Sequence, residues 1–158
     1  MIRDIRRNGA QPKDTMHKAG VALVTGMGVV IKDATTVELP KAETVANIYV
    51  ATKERIPTGV NAARMDMSDY DEDFVNIAKG EFLGLERYTD GEKFATDQYK
   101  EADFSGEVVD GTPVSVGADG KWQKLTTGSS KYVYEKPFKD NGHDLIMIRV
   151  EADAVAQA

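Results

Sequence analysis

The side chains best suited to metal chemistry form an acidic cluster near the middle of the chain. Its members are Asp66, Asp69, Asp71, Glu72 and Asp73. Their alternation is typical of a calcium-binding loop, but such a loop needs glycine at its sixth position and glutamate at its twelfth. Counting from Asp69 places Phe74 and Gly80 there. Because the positive end of a helix dipole favours carboxylates in the first turn, we interpret the cluster as the start of a helix and predict no metal site.

Nucleophilic catalysis has few candidates in this chain. The sequence contains no cysteine, and its two histidines are His17 and His143. Ser129-Ser130 follows Gly128 but lacks the second glycine of a nucleophile elbow. We therefore predict that the protein is not an enzyme and uses no cofactor. A metal-assisted hydrolase that combines the acidic cluster with His143 is the least favoured alternative.

Three aromatic residues, Trp122, Tyr132 and Tyr134, have the chemistry of a stacking surface. Aromatic ring faces bind both sugars and bases, so the three residues predict a carbohydrate- or host-surface-binding module as one alternative. Aromatic residues on neighbouring strands more often pair across the sheet inside a core. Core packing is therefore the favoured interpretation.

Charge is distributed unevenly along the 158 residues, whose formal net charge is −6. Residues 1–65 carry ten Lys/Arg and six Asp/Glu, whereas residues 66–158 carry ten and twenty. The basic end is concentrated in residues 1–18, where Asp4 and Asp14 are the only acids. Its cations are Arg3, Arg6, Arg7, Lys13 and Lys18. We predict a flexible basic arm that becomes ordered on an acidic partner and can be deleted without unfolding the body, and we expect no nucleic acid as partner.

Short apolar runs bounded by Asx-Gly pairs are typical of strands joined by hairpin turns. The pairs are Asn8-Gly9, Asp90-Gly91, Asp110-Gly111, Asp119-Gly120 and Asn141-Gly142. The runs cover residues 21–25, 28–32, 45–51, 106–109, 113–116, 121–125, 131–138 and 144–150. A helix is predicted over residues 69–79, and residues 94–99 fit either a helix or a strand. The longest apolar run, 21–31, is too short to span a bilayer, so no membrane partner is expected.

These elements predict a mainly β fold of antiparallel meander or small barrel units, with one short helix and an extended N-terminal arm. The predicted divisions are the arm at 1–18, an N-terminal β-unit at 19–65, an acidic helix or connector at 66–80, a C-terminal antiparallel β-domain at 81–151 and a tail at 152–158. An all-β chain of this size has sheet edges that need partners, so self-association or partner binding is expected.

Several short stretches carry a resemblance to a known class of proteins. They are Ala19-Gly20 leading into 21–25, Gly26-Met27-Gly28-Val29-Val30, Val37-Glu38-Leu39-Pro40, 80–86, 92–99, and 111–116 leading into Gly120-Lys121-Trp122. In their order, over residues 19–126, they resemble the small accessory proteins of tailed-bacteriophage heads. The likeness is one of short phrases and contains no diagnostic motif.

The resemblance implies a capsid decoration, or cement, protein that binds the outer surface of an assembled head and stabilises it. It implies the major capsid protein as partner, self-association that includes trimers, and a location on the virion after assembly in the host cytoplasm. Such proteins often bind through an extended terminal arm, which makes the five cations Arg3, Arg6, Arg7, Lys13 and Lys18 the candidate capsid contacts. Another phage structural role, at the head–tail junction or in the tail, and the glycan-binding module are the alternatives.

Overall fold

A computed structural model describes residues 1–9, 13–53 and 72–157, and within these ranges the chain is mainly β. The strands are β1 (Ile2–Arg6), β2 (Lys18–Ala19), β3 (Leu23–Val24), β4 (Gly28–Asp33), β5 (Thr36–Glu38), β6 (Tyr49–Lys53), β7 (Asn76–Ile77), β8 (Leu83–Glu86), β9 (Lys93–Thr96), β10 (Val114–Val116), β11 (Trp122–Lys124), β12 (Ser129–Asp140) and β13 (His143–Ala156). The helices α1 (Glu72–Val75) and α2 (Glu101–Phe104) are single turns. The mainly β prediction is confirmed. None of the helices in the described ranges has the length and apolar character to cross a bilayer.

One sheet contains four antiparallel strands in the order β1-β9-β13-β12. Its longest element is the β12–β13 hairpin, which turns at Asn141-Gly142 with φ values of +48° and +85°. Positive φ at both positions matches the type I′ turns of tight hairpins, as the Asx-Gly pair predicts. A bridge between Pro113 and Val133 brings the β10–β11 hairpin against β12.

The second sheet contains five strands in the order β2-β5-β4-β6-β8, and β2–β5 is its parallel pair. Two isolated antiparallel bridges also connect the chain near β2 to the region of β8. They pair Asp14 with Leu85 and Lys18 with Phe82. The sheets formed by the described residues are open, so the meander alternative holds and the closed small barrel does not.

The buried apolar residues form two hydrophobic cores. The first contains Ile48, Val50, Tyr88, Phe94, Val114, Val116, Trp122, Tyr132, Tyr134, Ile146, Ile148 and Val150. The second contains Ala19, Leu23, Val29, Val37, Ala51, Ile77, Leu83 and Leu85. Strand β6 serves both, because successive side chains of a strand point to opposite faces and Val50 and Ala51 lie in different cores.

The predicted helix over 69–79 is wrong beyond Val75. Residues Asn76–Ile77 form β7, which pairs with β3, and Ile77 is 1% exposed in the second core. A buried pairing with a distant strand therefore outweighs the helical spacing of residues 74–78. Residues 69–71 lie outside the described part of the chain.

Three other boundaries differ from the prediction. Residues 106–109 form no strand, and the run 94–99 is a strand, β9, up to Thr96. The tail predicted from residue 152 continues β13 to Ala156, opposite Ser129 of β12. The sheets also cross the predicted divisions, because β8 joins the N-terminal sheet and β1 joins the C-terminal one.

Candidate interaction surface

The start of the chain is part of the four-stranded sheet and is not a flexible arm. Strand β1 pairs with β9 from Ile2 opposite Thr96 to Arg6 opposite Lys93. Met1 is 2% exposed, and its amino group donates to the carbonyl of Thr25 at 2.7 Å and to the carboxylate of Asp97. The predicted arm is therefore wrong for this stretch, because contacts with distant residues fix it in the folded protein.

Three of the five predicted contact cations are neutralised by carboxylates of the same chain. Arg3 Nε lies 2.5 Å from Asp140 Oδ2, and Lys13 Nζ lies 3.0 Å from Glu86 Oε1. Arg7 is 3.8 Å from Glu86. These charges stabilise the fold, and a partner would have to compete for them.

Arg6 and Lys18 are the other two predicted contact cations. Both are exposed, and neither has an ion-pair partner among the described residues. The Lys18 ammonium lies 4.7 Å from the centre of the Phe82 ring, in cation–π geometry. Of the five candidate cations, these two are therefore the ones available to an acidic partner.

A buried carboxylate holds the residues that follow β1. Glu92 is 0% exposed and accepts hydrogen bonds from the backbone N–H groups of Asn8 at 2.8 Å and Thr89 at 2.7 Å. Arg7 Nε lies 3.7 Å away, and the Arg7 guanidinium covers the Tyr88 ring at 4.3 Å. Burial acts to raise the pKa of Glu92, but the two N–H donors and the Arg7 charge outweigh burial and hold this pKa below its ordinary value.

Tyr88 connects the same stretch to β8. Its hydroxyl donates to Asp4 Oδ1 at 2.5 Å, and its ring stacks on Phe94 at 4.3 Å between centroids. Burial and the hydrogen bond to Asp4 raise the pKa of Tyr88 far above its ordinary value, so the phenol stays protonated. Residues 4–8 are thus held by the hydroxyl and ring of Tyr88 and by the carboxylate of Glu92, which sequence reasoning did not bring together.

Exposed apolar side chains concentrate along this N-terminal stretch. Of the six large exposed apolar residues in the described ranges, Ile5, Met16 and Val21 lie near the N-terminus, and Phe82 lies opposite Lys18. Met16 is 74% and Phe82 is 52% exposed. We call the exposed side chains of Ile5, Arg6, Met16, Lys18 and Phe82 the N-terminal surface. Sequence reasoning found its two cations and missed its apolar members, because exposure is a tertiary property.

The aromatic stacking surface expected for a glycan-binding module is absent from the described surface. Trp122 is 0%, Tyr132 is 9% and Tyr134 is 5% exposed, and all three belong to the first core. The rings of Trp122 and Tyr132 pack at 5.2 Å between centroids, and Trp122 Nε1 donates to the carbonyl of Gly26 at 3.3 Å. The core interpretation is correct, and the stacking interpretation is wrong.

The histidines and the acidic cluster do not come together in the part of the chain that the structure describes. His17 is buried with Nδ1 3.0 Å from Asp14 Oδ2, whereas His143 is exposed at the β12–β13 turn. Asp66, Asp69 and Asp71 lie outside the described residues. Among the residues that are described, no group of three or more His, Asp or Glu side chains has the arrangement of a metal site.

The described residues of the N-terminal part of the chain thus combine a paired strand, ion pairs with distant carboxylates, and exposed side chains of two cations and three apolar residues. Comparison of the chain with protein-family models, with curated proteins and with solved structures finds no match.

Proposed function

We propose that the protein is a virion structural component that binds the outer surface of an assembled phage capsid and stabilises it through the N-terminal surface. The observation that carries the proposal is the exposed Lys18–Phe82 pair, together with the exposed Ile5, Arg6 and Met16 among the described residues of the N-terminal part of the chain. Exposed apolar groups that are interspersed with charge are typical of protein-binding surfaces. The sequence resemblance to phage head accessory proteins supports the capsid as partner.

The mechanism differs from that of an arm that folds on its target. Because β1 is already paired with β9, binding requires little ordering of the backbone, and less free energy is lost on association. Apolar contacts from Met16 and Phe82 supply affinity, while Arg6 and Lys18 align the protein on an acidic capsid surface. Each copy that binds only the assembled shell shifts the equilibrium toward assembly. Self-association, including a trimer around a capsid symmetry axis, is part of this proposal.

The test is co-sedimentation of the full chain with undecorated heads of the source phage at low and high salt. Met16→Ser with Phe82→Ser is expected to weaken binding about tenfold or more, as for central interface residues. Arg6→Glu with Lys18→Glu is expected to weaken binding mainly at low salt, where charges are screened least.

Matched controls come from elsewhere on the surface. Val109 is an exposed apolar residue outside the N-terminal surface, and Lys136 is an exposed cation on β12. Val109→Ser and Lys136→Glu should leave head binding unchanged. Head binding that is equal for all variants would reject the N-terminal surface, and binding to tails in place of heads would support the tail-component alternative.

A further inference from the structure

An open cleft of about 680 Å³ lies where three separate parts of the chain meet. One wall is the loop 45–48 before β6, another is the segment 87–90 after β8, and the third comes from β12 and β13. This volume is in the range of small-ligand sites in proteins. The cleft lies outside the N-terminal surface, so it is independent of the proposed capsid contact.

The floor of the cleft is apolar, but no ring there offers a free face to a sugar. Tyr88 has one face against Phe94 and the other beneath the Arg7 guanidinium, each at 4.3 Å. Tyr132 packs against Trp122. Carbohydrate stacking therefore has no platform here, and recognition has to come from polar groups.

Two polar groups in the cleft have no partner in the described part of the chain. Arg87 is exposed and forms neither an ion pair nor a hydrogen bond with any described residue. The side chain of Tyr132 is 9% exposed, and its hydroxyl has no hydrogen-bond partner among the described residues. By contrast, Arg149 on β13 binds Glu135 at 3.3 Å and Glu151 at 2.5 Å. Since the Tyr132 hydroxyl is not fully buried, both it and the Arg87 guanidinium are accessible donors in the cleft.

The chemistry of these groups selects an anion with two acceptor oxygens. A guanidinium binds carboxylates through parallel N–H donors. Burial is the strongest influence on the pKa of Tyr132 and raises it, so the hydroxyl remains protonated and able to donate. Lys131 adds a second cation at the rim, where it lies 3.3 Å from Asp90.

We propose that this cleft binds the carboxylate of an acidic peptide segment, with the Arg87 guanidinium and the Tyr132 hydroxyl as its donors. The apolar floor formed by Ile48 and Val150 accommodates the methylene groups of a glutamate side chain.

The test is an NMR titration of the full chain with a blocked Gly-Glu-Glu-Gly peptide, using the Gly-Gln-Gln-Gly peptide and glucuronate as separate arms. Saturable shifts of the backbone amides at 46–48, 87–90 and 131–133, seen with the acidic peptide alone, are expected. Arg87→Gln and Tyr132→Phe should each weaken binding about tenfold, as expected when a charged hydrogen bond is lost. Tyr132→Phe keeps the ring in the core, and Arg87 is exposed, so both variants should remain folded.

Lys136→Gln is the matched control, because Lys136 is also an exposed cation and lies outside the cleft. It should leave peptide affinity unchanged. Absence of saturable shifts, equal binding of the glutamine peptide, or tighter binding of glucuronate would each overturn the proposal. Head binding is not a readout of this experiment, so its outcome is separate from that of the capsid proposal.

Discussion

The N-terminal segment and the β12–β13 hairpin lie in the same sheet but are held in different ways. The hairpin pairs residues that are close in sequence around a turn, with Asp140 opposite His143 and Lys139 opposite Asp144. The N-terminal segment is held by residues far along the chain, among them Asp140 for Arg3, Glu92 for Arg7 and Glu86 for Lys13. One region is specified locally, and the other by the rest of the fold.

This difference shows why a local excess of positive charge is a poor indicator of a free arm. The C-terminal part of the chain carries the acidic excess, and the folded structure brings three of its carboxylates to the N-terminal cations. In addition, the buried carboxylate of Glu92 accepts a hydrogen bond from the backbone N–H of Asn8 at 2.8 Å. Changes in the N-terminal segment should therefore affect the whole protein, and changes in the hairpin turn should remain local.

The largest effect is expected from deleting residues 1–8. The deletion removes β1, the Arg7 charge and the Asn8 N–H, so Glu92 is left buried without two of its partners. We expect a loss of about 5 kcal/mol or more in the free energy of unfolding, which is comparable to the whole stability of many domains. Urea denaturation followed by circular dichroism measures it. Removal of residues 157–158 is the control truncation, and equal stability of the two truncated chains would restore the flexible-arm interpretation.

The next largest effect is expected from Glu92→Gln. The amide retains the size of the side chain but removes the charge that accepts from Asn8 and Thr89. We expect a loss of about 2–3 kcal/mol at neutral pH, the range for hydrogen bonds to a charged group. Glu107→Gln changes an exposed carboxylate and should alter stability by less than about 0.5 kcal/mol. Similar losses in the two variants would contradict the anchoring role of Glu92.

Glu92→Gln is also expected to change how the free energy of unfolding depends on pH. The pKa of Glu92 is lower in the folded protein than its ordinary value of 4.5, because the Asn8 and Thr89 donors and Arg7 outweigh the opposing effect of burial. Its contribution is therefore fully present above about pH 4.5 and is lost as the pH falls through the folded-state pKa. Unfolding free energies measured from neutral to acid pH should converge for wild type and Glu92→Gln. If the difference in unfolding free energy between wild type and Glu92→Gln were constant across this pH range, ionisation of Glu92 would not be the cause of the lost stability.

A smaller and local effect is expected at the hairpin turn. Gly142 has φ +85°, and an added Cβ would meet no atom within 4 Å, so backbone strain is the main cost of Gly142→Ala. We expect about 1–2 kcal/mol, with faster amide exchange confined to residues near the turn. Gly106→Ala is the control, because an added Cβ there also meets nothing within 4 Å and φ is not in the left-handed region. Equal losses at the two glycines would argue against the strained turn.

The smallest effect concerns the contact between the two regions. Arg3 and Asp140 form a pair at 2.5 Å whose side chains are 33% and 20% exposed. A double-mutant cycle with Arg3→Gln and Asp140→Asn should give a coupling free energy of about 0.5–1 kcal/mol, reduced by salt. A coupling near zero would mean that the N-terminal segment is held without this link to the hairpin.

Local patterns in the sequence determined the mainly β fold and the strands of its C-terminal half. The runs 131–138 and 144–150 lie within β12 and β13, and 113–116 and 121–125 contain β10 and β11. Asn141-Gly142 determined the turn, because few other residue pairs adopt positive φ at both positions. Alternation and turn chemistry are encoded in a few adjacent residues, so they can be predicted without the rest of the chain.

Tertiary structure alone decided that Ile2–Arg6 forms a strand of a sheet and that α1 ends at Val75. It also decided that Trp122, Tyr132 and Tyr134 are buried. It also decided which cations remain available, since Arg3 and Arg6 have the same chemistry until Asp140 pairs with one of them. The physical reason is that burial and ion pairing depend on which distant segments meet. That information lies in the packing of the two sheets and not in the spacing of neighbouring residues.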